Sequence, residues 1–384
     1  MTHTRFLHTS DFQLGMTRWF LTPEAQSRFT HSRLAAIRRL GELAEECGAE
    51  FIVVAGDVFE HNSLSKQATG RAREVLAQLP VPVYLLSGNH DPLVADSIFF
   101  TAAQAENTVV FDSSKPVEFR SGVELVGAPY FTKYPSTDLV GEALEGLEPT
   151  EAIRIMVGHG QAQSWSSDED PGLIDLDRVE SALAKGIIDY VALGDTHSTL
   201  AVGDTGKVWF SGSPETTDFH ELPGNNGEFA SGNALLVDIE KTAERSNVEV
   251  TQLEVGEWTF NAISAQVNSA EEVEEFLEQL AAYPHKDRTV IKYSLEGTID
   301  LAANQRLESG LAELEPVFAN LYVRERTQNL HLQPGEEELV SLDISGYAAG
   351  ALQELVDHLN EPEPEPEVRD MANLLFRLAA KGAK

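Results

Sequence analysis

The chain is 384 residues long, 42% hydrophobic and 23% charged, with 28 basic against 62 acidic side chains and a formal net charge of −34. That length predicts two or three domains, each able to bury a core without disulfides, and the single cysteine, Cys47, excludes an intrachain disulfide or a cysteine-cluster zinc site. The acidity excludes a general electrostatic binder of DNA, although it is uneven: residues 1–100 hold 9 basic and 11 acidic side chains, the remaining 284 hold 19 and 51.

In chain order, apolar runs at 6–10 (FLHTS), 51–55 (FIVVA), 81–86 (VPVYLL), 153–157 (IRIMV) and 189–193 (DYVAL) read as buried strands, being rich in Val, Ile, Leu and Phe and bounded by Gly, Asp or Pro. A helix is predicted from Thr22-Pro23, an N-cap followed by proline in the first turn, with Leu34, Ile37, Leu40, Leu43 and Ala44 on one face. A second is predicted over Ser65–Leu79. Alternating strands and helices of this kind predict an α/β domain, here residues 1–245. The texture then changes. Strands at 248–254, 289–296 and 320–325 and helices at 269–283 and 302–314 predict a small acidic α+β unit over 246–335. Residues 336–384 are expected to hold a helix at 346–360, an extended EPEPEPEV linker and a last helix through 370–380. Its stripe Met371, Leu374, Leu375 and Leu378 could dock on a partner or fold back. No run approaches the ~18 apolar residues of a membrane helix, and no signal peptide opens the chain, so no membrane partner and a cytoplasmic location are expected.

Each of the five strands is followed at once by a polar cluster: SDFQLG with Asp11 and Gln13, AGDVFE with Asp57, SGNHDP with Asn89, His90 and Asp91, VGHGQA with His159, and LGDTHS with Asp195 and His197. Strand ends are where loops converge over a rigid scaffold. Any one cluster is an ordinary turn; five in register point to a site. Carboxylates, an amide and imidazoles without thiolate suit divalent Mn, Mg, Fe or Zn. Two such ions about 3.5–4 Å apart can clamp a phosphate for in-line hydrolysis. Arg18, Trp19 and Phe20 follow the first cluster, and an Arg beside an aromatic could hold a phosphate or a base. His61 could also approach a phosphate. No glycine-rich nucleotide cradle is present.

In this order the motifs resemble those of the calcineurin-like metallophosphoesterases. More narrowly, GDVFE, LLSGNHD, WFSGSPETTDF and GNALLVDI resemble the SbcD-type DNA repair nucleases over residues 5–240. The resemblance implies a sandwich of two mixed β-sheets flanked by helices, with a small α+β capping domain and C-terminal helices. It implies two divalent ions, manganese first with magnesium or iron as alternatives, and DNA as substrate. It further implies an SMC-like, SbcC-type ATPase partner docked on the C-terminal helices, and a homodimer. Residue by residue it implies Asp11, Gln13, Asp57 and His197 around one metal and Asp57, Asn89, His159 and Asp195 around the other, with Asp57 as the bridge. His90 would be the leaving-group acid, its imidazole oriented by Asp91. Two positions depart from the pattern: Gln13 stands where the family has histidine, and Asp195 where it has the first histidine of G-H-x-H. Both replace nitrogen by oxygen, favouring Mn or Mg over Zn, and the second site is expected to fill before the first. Two rival readings stay open: hydrolysis of small nucleotides or other phosphodiesters, and a catalytically weakened scaffold for an ATPase.

Overall fold

The computed structural model describes residues 1–162, 172–242, 245–332 and 347–359, with Val368, Met371, Leu374 and Leu375 beyond them. The first half alternates Thr2–Thr9 (β1), Pro23–Cys47 (α1), Ile52–Val54 (β2), Lys66–Ala77 (α2), Val83–Leu85 (β3), Phe99–Ala102 (α3) and Thr108–Val110 (β4). Then come Val117–Arg120 (β5), Val123–Gly127 (β6), Leu139–Leu144 (α4), Ile153–His159 (β7), Leu176–Ala184 (α5), Tyr190–Gly194 (β8), Leu200–Val202 (β9) and Val208–Phe210 (β10). His220–Leu222 (β11) and Asn226–Gly227 (β12) precede the long hairpin Asn233–Lys241 (β13) and Ser246–Glu254 (β14).

These strands build two mixed sheets, ordered β14-β13-β1-β2-β3-β4 and β5-β6-β7-β8-β10-β9. Strands β1 to β4 run parallel in the first sheet, as do β6, β7, β8 and β10 in the second. Strand residues alternate faces, and the alternation assigns the layers. Phe6, Phe51, Val53 and Tyr84 of one sheet pack against Leu125, Ile155, Tyr190 and Ala192 of the other. Phe6 and Phe51 stack at 5.0 Å between ring centroids, and both are fully buried, contributing about 1.5–3 kcal/mol each. The opposite faces carry Leu7, Ile52, Val54 and Val83 against α1 and α2, and Val126, Met156 and Val191 against α4 and α5. The result is the anticipated pair of mixed sheets flanked by helices.

The helix read from Thr22-Pro23 starts there. The Thr22 hydroxyl accepts the Ala25 N–H at 3.2 Å, and the helix ends at Gly48 in the left-handed region. One strand is placed differently from expectation. Residues 246–254 do not open the acidic unit; they pair antiparallel with β13 at the edge of the first sheet. The first compact unit accordingly comprises Met1–His220 and Asn225–Phe260 rather than ending at 245. A 248–254 strand alternating Val with Glu and Gln suits a half-solvated edge, which local composition does not distinguish from a new domain.

The second unit takes in Thr259–Gln266 (β15) from Asn261 onward, followed by Ala270–Ala281 (α6), Thr289–Ile299 (β16), Leu301–Leu314 (α7), Asn320–Val323 (β17), Asn329–Leu332 (β18) and Tyr347–Leu359 (α8). β15, β16 and β17 are neighbours in one sheet, with β18 also parallel to β16. Val273, Phe276, Leu277 and Leu280 of α6 and Leu307 of α7 pack in one apolar cluster with Ile291 and Leu295 of the sheet. The Glu-Pro linker and Leu378 lie outside the described residues; Met371 and Leu374 are exposed.

Candidate metal centre

The five polar clusters occupy the C-terminal ends of β1, β2, β3, β7 and β8, all of them inner parallel strands. The first two loops are zipped together: the backbone N–H of Asp11 donates to the Gly56 carbonyl at 3.0 Å and that of Gln13 to the Asp57 carbonyl at 2.9 Å. Among the described residues, five non-glycine residues have positive φ, and four are Asp11 (53°), Gln13 (40°), Asp57 (50°) and Asp195 (94°). Such backbone costs on the order of 1–3 kcal/mol per residue, and it clusters where surrounding structure holds side chains for a task.

Asp11, Asp57 and His159, all buried, present ligand atoms within 4.8 Å of one another. His159 Nδ1–H donates to the Ala55 carbonyl at 2.8 Å, which turns Nε2 toward the centre. There Nε2 lies 3.1 Å from Asn89 Oδ1, 3.5 Å from Asp57 Oδ2 and 3.7 Å from Asp195 Oδ1. Glycine is required around this ring. A Cβ at Gly88 would stand 2.2 Å from Asp57 Oδ1 and 2.8 Å from His159 Nε2, and one at Gly56 would stand 2.1 Å from His159 Nδ1.

On the other side, His197 Nε2 lies 3.2 Å from Gln13 Nε2 and 3.7 Å from Asp11 Oδ1. Its Nδ1 faces Thr217 Oγ1 at 2.5 Å and Glu228 Oε2 at 3.4 Å. The Glu228 carboxylate is buried and also accepts the backbone N–H groups of Thr217 and Asp218 at 2.7 and 2.8 Å. A carboxylate behind a histidine fixes its tautomer and strengthens its basicity. Sequence reading missed Glu228. It lies outside all five motifs, and nothing local marks it off from the other glutamates of an acidic chain.

The imidazoles and carboxylates of the centre set one another's charge. Burial works against charge on His159, but Asp57 outweighs it and lifts the imidazole well above its ordinary value. Burial likewise opposes His197, which the Glu228 carboxylate brings up to about 9. Burial also opposes the Asp57 anion, and the adjoining His159 nonetheless holds that carboxyl below the usual range. The donor set fits a divalent cation on one further observation. Asp11 Oδ1 and Gln13 Oε1 are buried without a hydrogen-bond partner among the described residues. Unpartnered oxygens cost about 1–3 kcal/mol each, and hard oxygens are what Mn, Mg or Ca prefer.

Asp91 does not orient His90. Its carboxylate accepts the backbone N–H of Gly88 at 2.7 Å and of Phe59 at 2.9 Å, tying two motif loops together, and burial followed by the Asp57 charge pushes it up to about 8. His90 Nδ1–H instead donates to the Glu60 carbonyl at 3.0 Å, while the His90 backbone N–H donates to Asp57 Oδ1 at 3.0 Å. A fully buried carboxyl three residues from Gly88 satisfies turn N–H groups more readily than a side chain beyond them. Arg18 Nε donates to the Thr217 carbonyl at 2.7 Å. Trp19 is 87% exposed, and His61 is exposed with Nδ1 accepting the Ser63 N–H at 3.1 Å. Arg33 of α1 also went unnoticed in the sequence. It is buried, and its guanidinium donates to the carbonyls of Asp11, Phe12, Glu215 and Thr216, bracing the first motif against the 215–217 segment.

A model of the calcineurin-like phosphoesterase family matches residues 4–224, and the chain belongs to that family. The D component of nuclease SbcCD from Staphylococcus epidermidis is 21% identical over 249 residues, covering 58% of this chain and 64% of that protein. The uncharacterized metallophosphoesterase YhaO from Bacillus subtilis is 27% identical over 207 residues, covering 51% of this chain and 49% of that one. The chain thus spans less than two thirds of the length of either relative. Among solved structures, a dimetal phosphatase from Danio rerio aligns over 66% of this chain and 99% of its own at 10% identity and a TM-score of 0.38. Vacuolar Protein Sorting 29 from Cryptosporidium parvum aligns over 66% and 98% at 14% identity and 0.29. No helix among the described residues is long and apolar enough to cross a membrane.

Proposed function

We propose that the chain is a metal-dependent phosphodiesterase that cleaves DNA, working as the nuclease component of a complex with an SbcC-type ATPase. The observation that carries the hydrolase part is the strand-end cluster with its two unpartnered oxygens; the similarity to a component of nuclease SbcCD supports the substrate. Asp11, Gln13, Asp57 and His197 would hold one divalent ion, and Asp57, Asn89, His159 and Asp195 a second, with manganese the metal we favour. Bound there, the ions supply Lewis acidity and neutralise phosphate charge for attack by water.

The chain's own residues do the rest. The Glu60 carbonyl pins His90 through Nδ1–H, leaving Nε2 to give its proton to the departing oxygen. The His90 backbone N–H steadies the shared carboxylate of Asp57. Glu228 and Thr217 hold the His197 ring in place, and Asp91 locks the Gly88 turn to the loop at Phe59. The −34 charge opposes a polyanion, so the isolated chain should bind DNA weakly near ~0.15 M salt; a more basic partner would supply the affinity. That acidity favours one alternative, hydrolysis of small phosphodiesters.

The test is manganese-stimulated cleavage of 5′- and 3′-end-labelled linear duplex DNA by wild type, His90→Ala and Asp57→Ala. Wild type should cut. His90→Ala should lose roughly 10²–10⁴-fold in rate with manganese still bound, and Asp57→Ala should lose both cutting and manganese. Intact DNA alongside hydrolysis of bis-p-nitrophenyl phosphate would move the small-substrate reading ahead.

A further inference from the structure

A cleft of about 350 Å³ opens beside the candidate metal centre, with Asn89 and Asp195 of that centre among its lining residues. Its wall is Tyr130, which is 5% exposed and fixed on three sides. The Tyr130 backbone N–H donates to Ser87 Oγ at 3.0 Å, its carbonyl accepts the Leu93 N–H at 2.7 Å, and its hydroxyl donates to the His159 carbonyl at 3.1 Å. Gly160 keeps the space next to it open: its φ is +121°, and a Cβ there would stand 2.8 Å from the Tyr130 hydroxyl.

The loop leaving Tyr130 carries the rim. Thr132 Oγ1 accepts the Tyr134 N–H at 3.1 Å and donates to the Tyr134 carbonyl at 3.2 Å, closing a tight turn. That turn displays Lys133 and Tyr134, both lining the cleft. Tyr134 is 79% exposed, so its ring is open to solvent. Lys133 Nζ lies 5.7 Å from the Tyr134 ring centroid. An exposed aromatic face with an adjoining cation is the pair that recognises a nucleobase and its phosphate.

We propose that this cleft seats the nucleoside adjoining the scissile phosphate, with Tyr134 stacking on the base and Lys133 drawing the flanking phosphate. The assignment rests on the phosphodiesterase reading above and narrows its substrate to unstacked nucleotides, as at a frayed end or in a single strand. Tyr134 and Lys133 act here as specificity-determining residues and take no part in the chemical step.

The experiment compares two p-nitrophenyl phosphodiesters with manganese: the thymidine 5′ ester, which carries a nucleoside, and the methyl ester, which does not. Wild type should prefer the thymidine ester through KM. Tyr134→Ala should raise that KM roughly 5- to 100-fold while kcat and the methyl-ester kinetics stay within about twofold of wild type. Tyr134→Phe should restore the preference, since stacking needs the ring and not the hydroxyl. Lys133→Ala should weaken binding of a fluorescein-labelled oligothymidylate and flatten its salt dependence by about one charge. Equal wild-type KM values for the two esters, or an equal loss on both in Tyr134→Ala, would overturn the cleft assignment and leave the phosphodiesterase intact. Hydrolysis of neither ester with any divalent metal would overturn the phosphodiesterase reading and the cleft assignment with it.

Discussion

His8 and His159 are two fully buried histidines on neighbouring sheets of the same unit, and their surroundings drive them in opposite directions. His8 lies within β1, in the layer between the sheets. Its Nδ1 accepts from the Tyr190 hydroxyl at 3.0 Å and its Nε2–H donates to the Leu193 carbonyl at 3.1 Å. Both partners are neutral, so burial wins and the imidazole falls to about 3. His159 closes β7, donates Nδ1–H to a carbonyl in the same way, and turns Nε2 toward Asp57 and Asp195. There burial loses. The contrast separates a histidine among neutral partners from one that faces carboxylates: the free energy of burying a ring is shared, and the carboxylates facing it are not.

The strongest way to break the contrast is to remove a carboxylate from the strand ends. Glu228→Gln keeps the shape behind His197 but removes the charge. We expect manganese affinity to fall by roughly 10–100-fold, measured by calorimetry, with some loss of thermal stability as well, because the amide NH2 must face a backbone N–H that the carboxylate accepted. An unchanged affinity would mean that His197 is not held for a metal. A smaller effect is expected from the neutral layer. Unfolded His8 takes up a proton below about pH 6.5, whereas the folded residue resists until about pH 3. Its contribution is therefore complete above pH 6.5 and is lost as pH falls through that window, by up to about 1.4 kcal/mol per pH unit. His8→Gln should flatten the acid limb of unfolding free energies measured in urea at pH 7, 6 and 5; parallel limbs would refute the assignment. The smallest change is expected from Gln13→His. An imidazole there should shift metal preference toward zinc by roughly tenfold at most, read by competition between zinc and manganese.

Much of this was legible in the chain. Strands β1, β2, β3, β7 and β8 were visible because each is a short apolar run closed by a turn residue, and the motif residues follow directly from where those runs stop. Asp11, Gln13, Asp57, Asn89, His159, Asp195 and His197 do converge. What stayed hidden were partners with no local mark. Glu228 reaches His197 from 31 residues away in sequence, and Arg33 braces two loops from the middle of a helix whose apolar stripe gave no reason to single it out. The role that the resemblance implied for Asp91 differs from the one seen, because burial makes two turn N–H groups better partners for its carboxylate than the His90 imidazole.

By itself, then, the sequence determined five inner strands of the two sheets, that their C-terminal ends carry oxygen and imidazole donors in family order, and that the second half of the chain is strongly acidic. Those are consequences of local pattern: period-two burial, caps and turn chemistry act over a few residues. Only the tertiary structure decided which donors face one another and which atoms are left without partners. It also decided that 246–254 completes the first sheet and that Tyr134 and Lys133 stand at the rim of the centre. These depend on contacts between segments far apart in the chain, where pairing and burial are settled by the whole fold.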